Sequence, residues 1–392
     1  MPLALPSGRP GVPSRVTSAF VHPLAFVSAL AFALAACAAP EASPGARAPV
    51  EPPRAASLPP PPTPPLVPPA PREACASAPP LRVTFYDAGQ ALAALVSLPD
   101  GRHVLVDTGE SPKRPACAPC DAWHARVMAG LKRDLGGSPL DMLWVTHQHS
   151  DHLGGVPDVL ATFRTFLYVD NGEDTGEPGV KAARAATTAR GVRVVVVSPG
   201  ATAVPLSEAG PVRLSAILPQ KWPRSCRASP NDCSLVLRVD HCATSFLFTG
   251  DAEAPLEAEL APGPVTVLQV GHHGSDTSTT DAFLAKVRPT YAVISSGRPD
   301  EGTNATYCHP RASTVARLTR ATGGNPGGVV RAFDGRAKCK GSDPSSWHDE
   351  PTSENLWVTA RDGDVTLEST GDGTVRRVPS ARAPSVAALQ HP

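Results

Sequence analysis

A dense group of potential metal ligands follows an apolar run in Trp144–Val156, which has the sequence WVTHQHSDHLGGV. Three histidines and one aspartate fall within six positions there, at His147, His149, Asp151 and His152. Imidazole and carboxylate donors together suit zinc, manganese or iron. The spacing does not place the ligands on one helix face, so it predicts a loop held by a buried strand, and the following GG pair favours tight backbone turns. A surface loop with chance histidines is the alternative, which this density disfavours.

Further potential ligands follow later apolar runs. Asp251 comes directly after SFLFTG, and the pair His272 and His273 comes after VLQVG. A carboxylate at a strand end can bridge two cations, which lie about 3.5–4 Å apart in two-metal sites. Between the first cluster and Asp251 the chain has one histidine, His241, inside the turn-like stretch VDHCAT. That setting makes His241 a poor ligand.

Strand-like runs fall into two groups, with helical patterns between and after them. The pattern includes an early meander, a helix over residues 121–137 and a closing hairpin with a DG turn within residues 355–370. Two sheets packed face to face with helices outside account for this order, which predicts an α/β fold, a four-layer αββα sandwich. A doubly wound parallel sheet is the alternative, and the hairpins at both ends argue against it.

The N-terminus divides into two segments that differ from the rest. Residues 1–37 have a basic start, an apolar stretch too short to span a bilayer and the tetrapeptide LAAC, which ends at Cys37 and resembles the bacterial lipoprotein processing signal. An ordinary secretory signal is the alternative. Residues 38–80 contain 16 of the 46 prolines and predict a disordered linker. We expect one globular domain over 81–380 and a flexible tail over 381–392.

Charge and cysteine content bear on partners and compartment. The formal net charge is zero, so the chain lacks the overall basic bias of many nucleic-acid binders, although a local basic groove remains open. If Cys37 carries lipid, eight of the nine cysteines remain, and an even number in an exported protein favours disulfides. Their pairing stays open. For the C-x-x-C pair Cys117 and Cys120, a structural disulfide is favoured over a redox motif or half of a zinc knuckle.

These motifs together resemble a known family. THQHSDHLGG, FTGD, VGHHGS and VLVDTG resemble the motif series of the metallo-β-lactamase-fold hydrolases. More narrowly, DAGQALAALVSLPDGRHVLVDTG, NDCSLVL, GHHGSDTST and the ISSGR and CHP stretches resemble the hydrolase domain of competence-type, ComEC-like DNA-internalisation proteins. The resemblance runs from about Leu81 through most of the globular part, and it implies the αββα fold and hydrolysis by a metal-activated water.

The resemblance also implies a role for each candidate residue. The expected metal ligands are His147 and His149 for a first cation, Asp151 and His152 for a second, Asp251 between the two, and one of His272 and His273 completing the second site. Asp107 in VDTG is expected to orient a ligand histidine. The wider fold has a further histidine for the first cation, but the competence branch has Asn and Ser near that point. Their counterparts here are Asn231 and Ser234, so the first cation is expected to be weakly held or absent.

Catalytic expectations follow from the same comparison. Asp151 or Asp251 is expected to steer the proton of the attacking water. His309, in CHP, is expected to contact substrate or to protonate a leaving group, and an ordinary surface turn is the alternative. The first motif keeps Asp87 but reads DAGQAL instead of DVGQGD, and a cysteine-bearing insertion follows at residues 110–137. Both departures bear on substrate identity.

The expected function is therefore that of an exported hydrolase with one or two divalent metal ions, zinc or manganese. Its expected substrate is a phosphodiester, either a small molecule or a nucleic acid such as single-stranded DNA. The alternatives are a hydrolase of another ester, a lactone or a β-lactam, and a non-catalytic surface lipoprotein that retains the fold. We expect attachment to the cell envelope through a lipid anchor, at the outer membrane or facing the periplasm, and predict no protein partner.

Overall fold

The computed structural model of the chain describes Cys75, residues 78–335 and residues 346–379. Cys37 and the predicted targeting segment, most of the proline-rich segment, Cys339 and the predicted tail lie outside the described residues. The domain boundaries given above therefore stay predictions. No helix among the described residues has the length and apolar character that crossing a bilayer requires.

Seventeen strands form within the described residues. In chain order they are β1 (Leu81–Phe85), β2 (Ala94–Ser97), β3 (His103–Val106), β4 (Leu140–Trp144), β5 (Thr165–Asp170), β6 (Arg193–Val196), β7 (Glu208–Ala209), β8 (Val212–Ala216), β9 (Leu237–His241), β10 (Thr244–Phe248), β11 (Val267–Gln269), β12 (Tyr291–Ile294), β13 (Pro326–Phe333), β14 (Trp347–Ser353), β15 (Leu356–Val358), β16 (Val365–Ser369) and β17 (Arg376–Val378). The α-helices are α1 (Cys120–Leu135), α2 (Ser150–Leu153), α3 (Val156–Thr162), α4 (Pro178–Arg190), α5 (Ala254–Glu259), α6 (Asp281–Val287), α7 (Asn304–Tyr307), α8 (Ala312–Thr322) and α9 (Thr359–Asp362).

Two large sheets contain most of these strands. The first has the order β17-β16-β1-β2-β3-β4-β5-β6, and the second has the order β15-β12-β11-β10-β9-β8-β7. In the first sheet β3, β4, β5 and β6 run parallel, and in the second β10, β11, β12 and β15 run parallel. Strands β13 and β14 form a separate antiparallel pair.

Apolar side chains form three layers, one between the two large sheets and one between each sheet and its helices. In β4, Met142 and Trp144 contribute to the layer shared with the second sheet, to which Phe246 and Phe248 of β10 also contribute. A second layer lies between the first sheet and helices α1, α3 and α4, and a third lies between the second sheet and helices α5, α6 and α8. Strands buried on both faces in this way are typical of sheets covered by helices. The observed order of layers is helix, sheet, sheet, helix, which confirms the expected fold class.

The predicted closing hairpin is wrong. Strand β15 pairs with β12 in the second sheet, whereas β16 pairs with β1 in the first. The short helix α9 separates them, and the Asp362 side chain accepts a 2.8 Å hydrogen bond from the Val358 amide at its start. The DG dipeptide, Asp362 and Gly363, therefore ends a helical turn that carries the chain from one sheet to the other, and it does not form the tight turn of a hairpin.

Disulfides are present, as the even cysteine count predicted. Within the described residues the bonded pairs are Cys75–Cys242, Cys117–Cys120 and Cys226–Cys233. Cys308 is also disulfide-bonded. The two cysteines of the C-x-x-C pair are therefore bonded to each other, and both are buried in a small cluster with Trp123.

Candidate metal centre

The predicted ligands converge because each follows the carboxyl end of a central strand. His147, His149, Asp151 and His152 follow β4 of the first sheet, Asp251 follows β10, and the double histidine follows β11 of the second. Because β10 and β11 are parallel neighbours, their ends meet at one edge of the sheet. That edge faces the loop after β4, so residues about 100 positions apart in the chain share one cleft.

Two groups of ligand atoms lie within binding distance of a cation. One contains His147, His149 and Asp251, and the other contains Asp151, His152, Asp251 and His273. Asp251 belongs to both groups. This arrangement matches the one that two-metal hydrolases use, in which a carboxylate lies between the cations.

The second group brings the Nε2 atoms of two imidazole rings close together. His273 Nδ1 lies 2.8 Å from the Ser295 carbonyl, which can only accept, so this nitrogen carries the proton and Nε2 presents a lone pair. His152 Nδ1 lies 2.7 Å from the Asp107 carboxylate, which fixes the same tautomer. The two Nε2 atoms are nevertheless 3.2 Å apart. Two opposed lone pairs at this distance repel each other unless a positive charge, either a metal cation or a proton, lies between them.

The surroundings of Asp251 also favour a bound cation. Asp251 Oδ1 is buried without a hydrogen-bond partner, and it lies 3.1 Å from His152 Nε2. Burial opposes the charged form of Asp251, but the positive charges of His152 and His273 hold its pKa well below its usual range. Burial similarly opposes protonation of His152, yet Asp251 and Asp107 raise its pKa well above the usual range. The pocket therefore stabilises positive charge at this point, and its residues fit a divalent cation.

The first group is held by fewer neighbours. His147 Nε2 lies 3.1 Å from His149 Nδ1 and 3.9 Å from Asp251 Oδ2. Burial, together with the positive charge of His152, lowers the pKa of His147 well below its usual range, which keeps the neutral form that binds metals. The Thr146 hydroxyl lies 3.1 Å from His147 Nδ1 and can fix the ring orientation.

The geometry distinguishes the two adjacent histidines. His272 and His273 both have left-handed backbone conformations, with φ of 48° and 54°, so successive side chains turn towards the cleft. His273 Nε2 lies 3.4 Å from Asp151 and 3.6 Å from Asp251, within the second group. His272 Nδ1 pairs with Glu253 at 2.9 Å, and its Nε2 lies 3.8 Å from Asp251 Oδ2. This geometry favours His273 as the ligand of the second group and places His272 beside it.

Asp107 lies where an orienting carboxylate is needed. It is fully buried, and its two oxygens accept from the Thr146 amide and hydroxyl, each at 2.8 Å, while Oδ2 also faces His152. Burial raises the pKa of Asp107 and the charge of His152 opposes that rise. A carboxylate behind a metal-binding imidazole fixes its tautomer and increases its basicity.

Asn231 and Ser234 contact the ligands' neighbours. The Asn231 amide donates to Glu253 at 3.2 Å and lies 3.4 Å from His272 Nδ1. The Ser234 hydroxyl accepts from the Asp251 amide at 3.3 Å. Glu253 was not identified from the sequence, although its position two residues after Asp251 was the available signal.

His309 is buried beside the centre. Its ring centroid lies 5.1 Å from that of His272, and Gln90 Nε2 lies 3.1 Å from its Nδ1. Gln90 Oε1 accepts from the Gly297 amide, so its Nε2 is the donor and His309 Nδ1 is the acceptor. That tautomer leaves a proton on His309 Nε2. Gln90 is the glutamine of DAGQAL and is shared with the family motif. Its contact with His309 spans 219 positions and could not be predicted from the sequence.

Two other predicted residues lie away from the cation groups. Asp87 Oδ2 contacts Arg298 at 3.1 Å and Arg126 of helix α1 at 3.4 Å, so it joins a loop to this helix. His241 is buried in β9 and faces the Ser369 hydroxyl at 3.2 Å, outside both groups of ligand atoms, in agreement with the expectation that it is a poor ligand.

The explanation for the GG pair is corrected by the structure. Gly154 and Gly155 have φ of −63° and −84°, which any residue adopts. A Cβ at Gly154 would instead lie 2.2 Å from the Ser111 amide nitrogen, and one at Gly155 would lie 2.5 Å from the Thr108 carbonyl oxygen. The glycines are needed because neighbouring backbone approaches closely.

Comparison with known proteins agrees with this geometry. The family model for the Metallo-beta-lactamase superfamily matches residues 86–298, which is more than half of the chain. The chain belongs to the metallo-beta-lactamase superfamily. Membership in this superfamily indicates a hydrolase that uses divalent metal ions, and it confirms the family predicted from the motifs.

Three relatives are similar to more than half of the chain. Recombination protein 2 of Haemophilus influenzae is 32% identical over 253 residues, covering 62% of this chain and 27% of that protein. ComE operon protein 3 of Bacillus subtilis is 30% identical over 61% of this chain and 30% of that protein. Competence protein ComA of Neisseria gonorrhoeae is 32% identical over 60% of this chain and 29% of that protein. The chain thus spans less than a third of the length of these three relatives.

Proposed function

We propose that this protein is an extracytoplasmic, metal-dependent phosphodiesterase that acts on single-stranded DNA. The observation that carries the proposal is the shared Asp251, which places the two groups of ligand atoms on either side of one carboxylate. Paired cations suit displacement at phosphorus, since they can stabilise both the attacking and the leaving oxygen. The similarity to a recombination protein and to two competence-related proteins supports nucleic acid as the substrate.

Divalent cations in such a centre lower the pKa of water, so that a nucleophile is available near neutral pH. The chain's own residues complete the reaction. Asp151 is ionised, because contacts with His273 and His152 outweigh burial and hold its pKa well below its usual range. It can accept a hydrogen bond from the attacking water and so steer the water's proton. His309 carries its proton on Nε2 through its contact with Gln90, and this N–H can donate a hydrogen bond to the leaving oxygen, which takes its proton from water.

The location is part of the proposal. Three disulfides within the described residues suit an oxidising compartment. We infer that Cys37 carries a lipid that holds the domain at the cell envelope. Membrane fractions from cells producing the chain and its Cys37→Ser variant test this. Retention of the variant in the membrane fraction, at the level of the parent, would contradict lipid attachment.

A panel assay tests the activity. The full chain, with manganese or zinc, is incubated with bis(p-nitrophenyl) phosphate, single-stranded DNA and a chromogenic β-lactam. We expect cleavage of the first two, complete loss of this cleavage with chelator, and at least a hundredfold loss in His149→Ala and Asp251→Ala. Matched controls are His348→Ala and Asp349→Ala, whose side chains are 40% and 59% exposed on β14. Hydrolysis of the β-lactam alone, or activity that survives the ligand changes, would refute the proposal.

A further inference from the structure

The insertion at residues 110–137 is fixed against two loops of the cleft. Its disulfide Cys117–Cys120 packs with Trp123, and that indole fills the space above two glycines. A Cβ at Gly89 would lie 2.1 Å from the Trp123 ring, and one at Gly302 would lie 2.5 Å from it. Both glycines also have positive φ, so other residues are disfavoured there by backbone strain as well as by the contact with Trp123. The insertion is thereby held between the loop that carries Gln90 and the loop that leads to His309.

Arg114 of the insertion reaches the ligand loop, the segment after β4 that carries His147, His149, Asp151 and His152. Arg114 contacts the hydroxyl of Ser150, the residue between His149 and Asp151, and its Nε lies 3.9 Å from Glu110 Oε2. Its side chain remains 35% exposed. Arginine has five N–H groups in a planar fork that matches phosphate oxygens. Arg114 is therefore a positive charge held at the rim of the metal centre with donors that remain accessible from solvent.

An exposed aromatic ring lies on the same rim. Tyr307 is 39% exposed, and its ring centroid is 6.4 Å from that of His309 with an interplanar angle of 27°. Burial of part of the ring and the negative charge of Asp151 raise the pKa of Tyr307, while Arg114 opposes this rise through its charge and a hydrogen bond. Arg114 and Tyr307 are thus neighbours beside the same ligand loop.

We propose that Arg114 and Tyr307 form the site that binds the substrate strand, with Arg114 on a phosphate and Tyr307 stacked on a base. This inference rests on the proposed function and names the residues that would select a nucleic-acid strand over a small phosphodiester. A cation beside an exposed aromatic ring is the combination that proteins use to hold single strands, because it matches a repeating phosphate and a flat base. The neutral net charge of the chain is compatible with such a local site.

Binding and turnover are measured with the full chain. Fluorescence anisotropy with chelator present, which prevents cleavage, gives the Kd for labelled oligothymidylate and for an abasic strand of the same length. We expect Tyr307→Leu to raise the Kd for oligothymidylate about tenfold and to change the Kd for the abasic strand much less. We expect Arg114→Gln to weaken both strands and to reduce the slope of log Kd against log salt concentration by about one.

Matched controls come from a second arginine–aromatic pair on the surface. Arg164 lies over the Phe166 ring at 4.8 Å, at the start of β5, whereas the ligand loop follows the other end of its parallel neighbour β4. Phe166→Leu and Arg164→Gln should leave both Kd values and turnover unchanged. Circular dichroism and Tm establish that all variants fold, and Arg114→Lys should retain part of the salt dependence.

The outcomes separate the two proposals. With manganese present, the selectivity ratio of kcat/KM for oligothymidylate over kcat/KM for bis(p-nitrophenyl) phosphate should fall about tenfold in Tyr307→Leu. Equal weakening of both strands by Tyr307→Leu, or an unchanged salt slope in Arg114→Gln, would overturn the inference while leaving the phosphodiesterase proposal intact. Strand binding that depends on both residues without any cleavage would instead refute the proposed function alone. A parent chain that neither binds the strands nor cleaves them with manganese present would refute both.

Discussion

At the scale of single residues, the metal centre depends on which nitrogen of each imidazole faces the cleft. Asp107 and the Ser295 carbonyl each hold an Nδ1 proton, on His152 and His273, and so direct two Nε2 lone pairs to one point. Hydrogen bonds behind the ligands thus supply part of the site's affinity for cations.

This assignment predicts the effect of replacing Asp107 by asparagine. Asparagine tolerates the φ of 56° at this position, so the backbone need not change. Its single carbonyl oxygen cannot accept from both the Thr146 amide and His152, because these face different oxygens of Asp107, and the other atom becomes an NH₂ group that faces a donor. We expect zinc affinity to fall about 10- to 100-fold, measured by competition with a chelating dye. Asp174→Asn, at an exposed turn, is the control, and equal affinities in the two variants would contradict the role of Asp107.

Residue spacing predicted the candidate ligands, but not the distinction between the last two. The HxHxDH pattern and the strand-ending Asp251 were sufficient to propose a two-metal centre. The choice of His273 over His272 depends on consecutive positive φ values, and no local sequence signal indicates these for histidine. Glu253 and Gln90 were missed as supporting residues, because each acts through a histidine that is distant in the sequence.

At the scale of elements, strand positions were more predictable than strand partners. Short apolar runs located the strands around the site, because strands that are covered on both faces, such as β10 and β11, need apolar residues on both sides. The pairing of β15 and β16 with different sheets could not be read in the same way. It depends on the helical turn α9, whose four residues are too few for a recognisable helical pattern.

The contact between the ligand loop and the start of the insertion gives the prediction at this scale. Gly154 has helical φ and ψ, so intrinsic propensity alone would make alanine stabilising by about 1 kcal/mol. The added Cβ would lie 2.2 Å from the Ser111 nitrogen and 2.3 Å from the Ser150 carbonyl oxygen. We therefore expect Gly154→Ala to lower the free energy of unfolding by about 1–3 kcal/mol in a denaturant titration.

Gly179 in α4 provides the matched control for that substitution. A Cβ there meets only the end of the flexible Leu153 side chain, at 2.9 Å, so the neighbour can move. Gly179→Ala should leave the free energy of unfolding unchanged or raise it slightly. A stabilising Gly154→Ala would show that the backbone of the insertion is free to retreat, contrary to the packing described here.

At the scale of the whole molecule, the candidate ligands come from both sheets. The first sheet supplies His147, His149, Asp151 and His152, and the second supplies Asp251 and His273. Between the sheets lies a single apolar layer, in which the Phe85 and Phe248 rings stack at 5.8 Å. Binding of cations across the open end of this sandwich therefore adds to the force that holds the sheets together.

Metal removal should consequently lower the stability of the domain as a unit. A ligand present at 100 times its Kd adds about 2.7 kcal/mol to the free energy of unfolding, which corresponds to about 5–10 °C in Tm for a domain of this size. We expect zinc to raise the Tm of the chelator-treated protein by this amount in differential scanning fluorimetry. Because Asp251 belongs to both groups of ligand atoms, Asp251→Asn should abolish the shift. His149→Asn removes a ligand of the first group only and should retain part of it, and His348→Asn on β14 should retain all of it. A full zinc-induced shift in Asp251→Asn would mean that the metal stabilises the fold from another site, and the convergence of the two sheets on a common cation pair would have to be abandoned.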